Sequence, residues 1–245
     1  MMQGNKEFVM IDDQKIVYEQ ALALAKQSNE KNKNVLIVEG GPGTGKSVVA
    51  INLLVELTGN EMLSMYISKN SAPRAVYEKM LTGTMKKSII SNLFKGSGSF
   101  IDVQSNTFDS LIIDEAQRLN EKSGLYSNLG ENQVKELINA SKFTIFFIDE
   151  NQKIHLKDVG SKEEIEKWAS HLGANIHYNQ LSSQFRCGGS DGYLAWLDNI
   201  LQIRETANET IEDLEYDFRI YDNPNEMRDE IEKLNQINNK ARLVA

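Results

Sequence analysis

The chain has 245 residues, 40% of them hydrophobic and 25% charged, enough for one large domain or two smaller ones and too balanced for a disordered or fibrous protein. A count of 27 Lys and Arg against 35 Asp and Glu leaves a formal charge of −8, which excludes a general pull toward phosphate backbones or anionic lipid and confines any nucleic-acid contact to a local basic groove. One cysteine, Cys187, excludes an internal disulfide and a cysteine-based zinc site, and the 3 histidines (His155, His171, His177) lack ligand spacing, so no metal cage is expected and a reducing cytoplasm fits best.

The N-terminal segment MMQGNKEFVMIDDQK carries no apolar core of an export signal, and no run approaches a membrane span. From Ile16 to Gln27 the apolar residues Ile16, Val17, Ala21, Leu24 and Ala25 follow a helical period. After a polar break at Lys31–Lys33, the β-branched run Val35–Val38 reads as a buried parallel strand entering a Gly-rich turn at Gly40. Ser47–Leu57 then places Val48, Ile51, Leu54, Val55 and Leu57 at helical spacing, completing a strand, loop and helix unit.

Further strands are expected at Met62–Ile67, Leu111–Ile113 and Phe143–Ile148, with helices around Ala72–Leu81 and Asn132–Ala140. Alternation of this kind predicts an α/β fold, a mostly parallel sheet with helices on both faces. Lys95–Ser99, KGSGS, reads as a flexible surface loop. Near the end, Tyr216–Tyr221 reads as a strand and Asn223-Pro224 as the start of a helix reaching about Asn235. Ala241–Ala245 begins another apolar strand, and a chain stopping there is expected to be a fragment of a longer one.

Gly40–Ser47, GGPGTGKS, fits G-x-x-x-x-G-K-[ST] between a strand and a helix. Its glycines let backbone N–H groups of Gly41, Gly43, Thr44, Gly45 and the helix start through Val48 wrap phosphate oxygens, with Pro42, which has no N–H, shaping the same loop. Lys46 adds mobile charge, and Ser47 offers Mg²⁺ a hydroxyl. The implied ligand is a nucleoside triphosphate with magnesium. Asp114 and Glu115 end the strand LIIDE, where sheets of this kind place their ligands; Asp114 can hold Mg²⁺ and Glu115 can accept a proton from an attacking water. Trp168, Trp196, Phe146 and Phe147 sit among apolar neighbours and read as core.

DEAQ at Asp114–Gln117, IDENQ at Ile148–Gln152 and LSSQFRC at Leu181–Cys187 resemble the second, third and fourth motifs of superfamily 1 helicases. With ISKNSAPRAVYEKML, KGSGSF, DEAQRLNEKSGLYSN and SSQFRCGG, nearly the whole chain resembles the bacterial Schlafen group 3-like DNA/RNA helicase domain family. The resemblance implies a P-loop NTPase with a RecA-like ATP-binding domain and N-terminal helix over 1–178, and the start of a second RecA-like domain over 179–245. It implies that Gln14 reads adenine, Gln152 senses the γ-phosphate and Arg186 stabilises its developing charge, a task suited to a planar guanidinium that stays protonated. Gln14 also reads simply as a helix-start residue after Asp12 and Asp13. Lys69, Asn70, Ser71 and Arg74 fall where related helicases touch single-stranded nucleic acid, and Ser71 before Ala72-Pro73 equally fits a helix cap.

The expected function is Mg²⁺-dependent ATP hydrolysis coupled to DNA or RNA. A nucleotide-dependent switch acting on a protein partner is the alternative that the charge of −8 suggests. A kinase would share the phosphate loop but lack the acid pair and Gln152.

Overall fold

The computed structural model describes residues 10–81, 90, 92–124, 128–153, 155, 157–183, 191–203, 205–206 and 217–237. They form two compact units, residues 1–189 and 190–245. In the first, α1 (Asp12–Gln27), β1 (Asn34–Gly40), α2 (Lys46–Gly59), β2 (Ser64–Ile67), α3 (Ser71–Leu81), β3 (Phe94–Lys95), β4 (Phe108–Ile113), α4 (Gln133–Ala140), β5 (Ser141–Ile148), α5 (Lys162–His171) and β6 (Asn175–Leu181) follow in order. Helix α1 starts at Asp12 rather than Ile16, because Asp12 and Asp13 in its first turn suit the positive end of the helix dipole.

The six strands make one sheet in the order β3-β2-β4-β5-β1-β6, and every pair is parallel. This is the expected α/β P-loop NTPase sheet. Strand β5 lies between β1 and β4, with Ile148 opposite Glu39 and Phe146 opposite Ile113. The carboxyl ends of β1, β5 and β4 therefore open side by side on one edge of the sheet, where the following loops meet.

Alternating side chains divide the core into two layers. Leu36, Val38, Ile112, Phe143, Ile145 and Phe147 face Val17, Ala21 and Leu24 of α1 and Val49, Leu53 and Leu57 of α2. Val35, Ile37, Leu111, Ile113, Phe146 and Ile148 face Val134, Leu137 and Ile138 of α4 and Ile165 and Ala169 of α5. Each such side chain, fully buried, contributes about 1.5–3 kcal/mol, so the strands that carry the site are also the best anchored. Phe146 and Phe147 are core residues, as their neighbours predicted.

Lys33 is buried at the C-terminus of α4. Its ammonium donates to the carbonyls of Ile138 (2.8 Å), Asn139 (3.3 Å) and Ser141 and to Asn106 Oδ1 (2.7 Å). It satisfies carbonyls that the helix end leaves open, and burial pushes it down to about 8.

Three expectations change. The boundary expected between 178 and 179 falls inside β6, which pairs with β1 from Asn175 to Leu181. As a polar edge strand, NIHYNQL carries no apolar run to announce it. KGSGS is built into the fold rather than loose: Lys95 ends β3, Ser97–Ser99 is a 3₁₀ turn, and Ser97 is buried. Asp217–Tyr221 takes no strand conformation, while Tyr216 and Ala241–Ala245 lie outside the described residues.

The second unit holds α6 (Asp191–Ile200) and α7 (Pro224–Ile237). Trp196 of α6 packs edge-on to Phe218 at 5.1 Å and beside Tyr193 at 5.9 Å. Thr206 Oγ1 donates to the Ala195 carbonyl at 2.7 Å. Among the described residues no helix is long and apolar enough to cross a membrane.

Candidate nucleotide site

The phosphate loop bridges β1 and α2. Gly43 and Gly45 take φ of 82° and 87°, a left-handed backbone that glycine adopts without the Cβ penalty. Thr44 Oγ1 donates to the Gly41 carbonyl (3.0 Å), and the N–H groups of Val48 and Val49 close the first turn of α2 on the Gly45 carbonyl. Lys46 Nζ donates to the carbonyls of Gly40 and Gly41 and lies 3.9 Å from Asp149 Oδ2.

Gln14 is fully buried against this loop. Its Nε2 donates to the Thr44 carbonyl at 3.0 Å, and a Cβ at Gly45 would stand 2.3 Å from that nitrogen. Side chain and loop thus fit only because residue 45 is glycine. The neighbouring Asp13 accepts from the backbone N–H groups of Ser182 and Ser183, both at 3.0 Å, and from Gln14 N–H at 2.8 Å. Burial opposes its charge, but the donors at Ser183, Ser182 and Gln14 outweigh it and hold the carboxyl below its ordinary value. Asp13 therefore ties the residues after β6 to the helix that supports the phosphate loop.

From the end of β4, Asp114 is buried, with Oδ2 accepting from the Tyr66 hydroxyl at 2.6 Å and Oδ1 from the Glu115 N–H at 3.0 Å. Burial, then the Asp114 charge, pushes the Tyr66 phenol far up, so it stays a donor. Glu115 has φ 53° and ψ 45°, a left-handed position for a non-glycine residue. Its Oε2 accepts from Asn70 Nδ2 at 2.5 Å. Behind the pair, Gly160 packs so closely on Ala116 that an added Cβ would fall 1.7 Å from the Ala116 carbonyl oxygen.

After β5, Asp149 caps the 3₁₀ turn Glu150–Gln152 through the Asn151 N–H (3.2 Å) while its own N–H donates to Gln117 Oε1 (3.1 Å). This bond stitches the ends of β4 and β5 together and faces Asp149 toward Lys46.

A cleft of about 270 Å³ collects these parts. Its walls include Gln14, the loop residues Pro42, Gly43, Gly45, Lys46, Ser47 and Val48, the acid pair Asp114 and Glu115, and Gln117 and Gln152. Arg186 lies outside the described residues. Of the residues expected at nucleic acid, Lys69 donates to Asn120 Oδ1 and pairs with Asp158, both at 3.0 Å. Arg118 flanks the same buried carboxylate at 3.1 Å. Asn70 is spent on Glu115, Ser71 heads α3 and is exposed, and Arg74 Nε donates to the Asn70 carbonyl at 3.3 Å.

Sequence reasoning missed Asp149, although it ends an apolar strand just as Asp114 does. It also missed Asp13, Tyr66 and Gly160, whose roles depend on partners far away in the chain.

The fold and its phosphate loop are those of a P-loop NTPase domain. The model of the Schlafen group 3, DNA/RNA helicase domain matches residues 33–245, and the chain belongs to that family. Uncharacterized protein YPL245W of Saccharomyces cerevisiae is 24% identical over 210 residues, 71% of this chain and 43% of that protein. Among solved structures, the chain is similar to Pif1 helicase from Candida albicans (13% identity, 97% of this chain and 56% of that one, TM-score 0.48). It is also similar to AMPPCP-bound DnaA from Aquifex aeolicus (16% identity, 94% and 63%, TM-score 0.41). The chain thus spans less than two thirds of each of these relatives.

Proposed function

We propose that the chain is the ATP-hydrolysing part of a DNA or RNA helicase or translocase. The observation that carries this reading is the convergence of Lys46, Ser47, Asp114, Glu115 and Gln152, from three strand ends, on one cleft. Nucleotide binding alone would need the loop; hydrolysis needs the acid pair opposite it.

The Ser47 hydroxyl and the Asp114 carboxylate are hard oxygen donors on the same cleft, the donor set that Mg²⁺ takes with water and phosphate. Bound there, the ion would neutralise charge on the β- and γ-phosphates. Lys46 exchanges its loop carbonyls for phosphate oxygens. Glu115 accepts the proton of a water whose oxygen attacks the γ-phosphorus as the bond to the bridging oxygen breaks, and Gln152 orients that water or the γ-phosphate. Gln14 supports the loop through Thr44 and contributes to an adenine pocket. Arg186 would stabilise the transferring phosphoryl group, the role its motif implies. Residues 190–245 begin a second motor domain, and Ser71 and Arg74 offer contacts to a single strand, since Lys69 is already neutralised by Asp158.

The test is turnover of ATP with Mg²⁺ by the full-length protein, with and without single-stranded DNA or RNA. Lys46→Ala should abolish binding or turnover, and Glu115→Gln should bind nucleotide and lose at least about 100-fold in rate. Wild-type turnover by Glu115→Gln refutes the assignment of the base. Turnover indifferent to either polymer favours the switch.

A further inference from the structure

The acid pair is held from outside its own strand, by Tyr66 within β2 and by Asn70 in the turn between β2 and α3. Tyr66 lies within β2, next to β4, where Tyr66 is opposite Ile112 and Ile67 opposite Ile113; the Asp114 N–H continues the ladder to the Ile67 carbonyl at 2.9 Å. Two strands ending in register deliver the side chains around residues 66–70 to those at 114–115. Tyr66 is fully buried between Tyr77 (5.7 Å) and Phe94 (5.6 Å), so its ring has one orientation. Its hydroxyl takes one lone pair of Asp114 Oδ2, and the Glu115 N–H takes one of Oδ1. The carboxylate plane is fixed, yet each oxygen keeps a lone pair for another partner. The backbone of Glu115 is held in a left-handed conformation that a residue with a Cβ seldom adopts, and its Oε2 is held by the Asn70 amide. Glu115, held in this way, lines the cleft.

We infer that Tyr66 and Asn70 are positioning residues: Tyr66 aims the carboxylate of Asp114 for the cation, and Asn70 aims Glu115 for its proton transfer. The inference rests on the proposed hydrolysis and adds that β2 and the turn that follows it, which carry neither nucleotide motif, set the geometry of both acids. A base one ångström out of place loses rate steeply while the nucleotide, held by the loop, binds as before.

The experiment uses the full-length protein. Asn70→Ala should lower kcat roughly tenfold or more, with the dissociation constant for AMPPCP unchanged. In single-turnover measurements on a Glu115→Gln background, the same substitution should have no further effect, because its route to the chemistry has gone. Tyr66→Phe, which removes one oxygen and keeps the ring, should raise several-fold the Mg²⁺ concentration needed for half-maximal AMPPCP binding. An equal loss from Asn70→Ala on both backgrounds, or Mg²⁺ dependence unchanged in Tyr66→Phe, overturns the inference. If the wild-type protein hydrolyses nothing, the proposed function fails by itself. The Asn70 side-chain amide signal in ¹H–¹⁵N spectra still decides the contact, since Glu115→Ala must shift it, and an unmoved signal overturns the inference.

Discussion

Gly45→Ala adds one carbon where the phosphate loop meets α1, and the structure supplies two separate penalties. Residue 45 has φ 87°, where an alanine costs about 1–2 kcal/mol. The new Cβ would also stand 2.3 Å from Gln14 Nε2, so Gln14 must withdraw. Its 3.0 Å bond to the Thr44 carbonyl is then lost and a fully buried amide is stranded, at about 1–3 kcal/mol. Together these give roughly 2–5 kcal/mol, or a fall in Tm of about 4–20 °C for a domain of this size. Urea unfolding of four proteins separates the parts: wild type, Gly45→Ala, Gln14→Ala and the double variant. On the Gln14→Ala background, Gly45→Ala should retain only the backbone penalty of about 1–2 kcal/mol. Gly41→Ala is the control, because nothing lies within 4 Å of a Cβ there, and it should stay within about 0.5 kcal/mol of wild type. A loss from Gly45→Ala below about 0.5 kcal/mol, or one identical with and without Gln14, would refute the reasoning.

Gly160→Ala would push a Cβ to 1.7 Å from the Ala116 carbonyl oxygen, backbone against backbone. It should destabilise by more than about 3 kcal/mol and weaken nucleotide binding through the displaced acid pair, with calorimetry reading both. Lys33 is pushed down to about 8 from 10.5, so the unfolded chain binds more protons between those values and stability should rise with pH across that window. Lys33→Met should flatten the rise, and equal slopes in the two proteins would count against a buried, perturbed ammonium. Asp13 is held below its ordinary 3.8, so its contribution is complete at neutral pH and disappears as the pH falls through 3.8 toward the folded value. The stability gap between wild type and Asp13→Asn should therefore shrink on acidification in urea melts at stepped pH; a constant gap would mean that the charge is irrelevant.

The parts of the fold that follow from local chemistry could be read from residue order. Val35–Val38, Leu111–Ile113 and Phe143–Ile148 are apolar because they are buried on both faces, and that burial is visible as unbroken runs. GGPGTGKS needs its glycines whatever surrounds it, since the turn itself demands left-handed backbone at Gly43 and Gly45. Strand β6 was not visible, because an edge strand with one paired side and a wetted face tolerates NIHYNQL. KGSGS looked like a loose loop because glycine and serine suit flexibility and close packing equally. A Cβ at its second glycine, Gly98, would stand only 3.1–3.3 Å from the Ser123 side chain, a closeness that only the packed structure reveals.

At the site, the same division has a physical cause. The sequence by itself determined the loop, the acid pair and their kinship with helicases, because phosphate cradling and strand-end carboxylates depend on neighbours a few residues apart. The sheet order β3-β2-β4-β5-β1-β6 decided the rest. It sets Asp149 beside Lys46, Tyr66 under Asp114 and Asn70 against Glu115, and it spends Lys69 on Asp158 rather than leaving it to meet a phosphate. Such partners lie dozens of residues apart, and only the closing of hydrogen-bonded strands brings their side chains within a few ångströms.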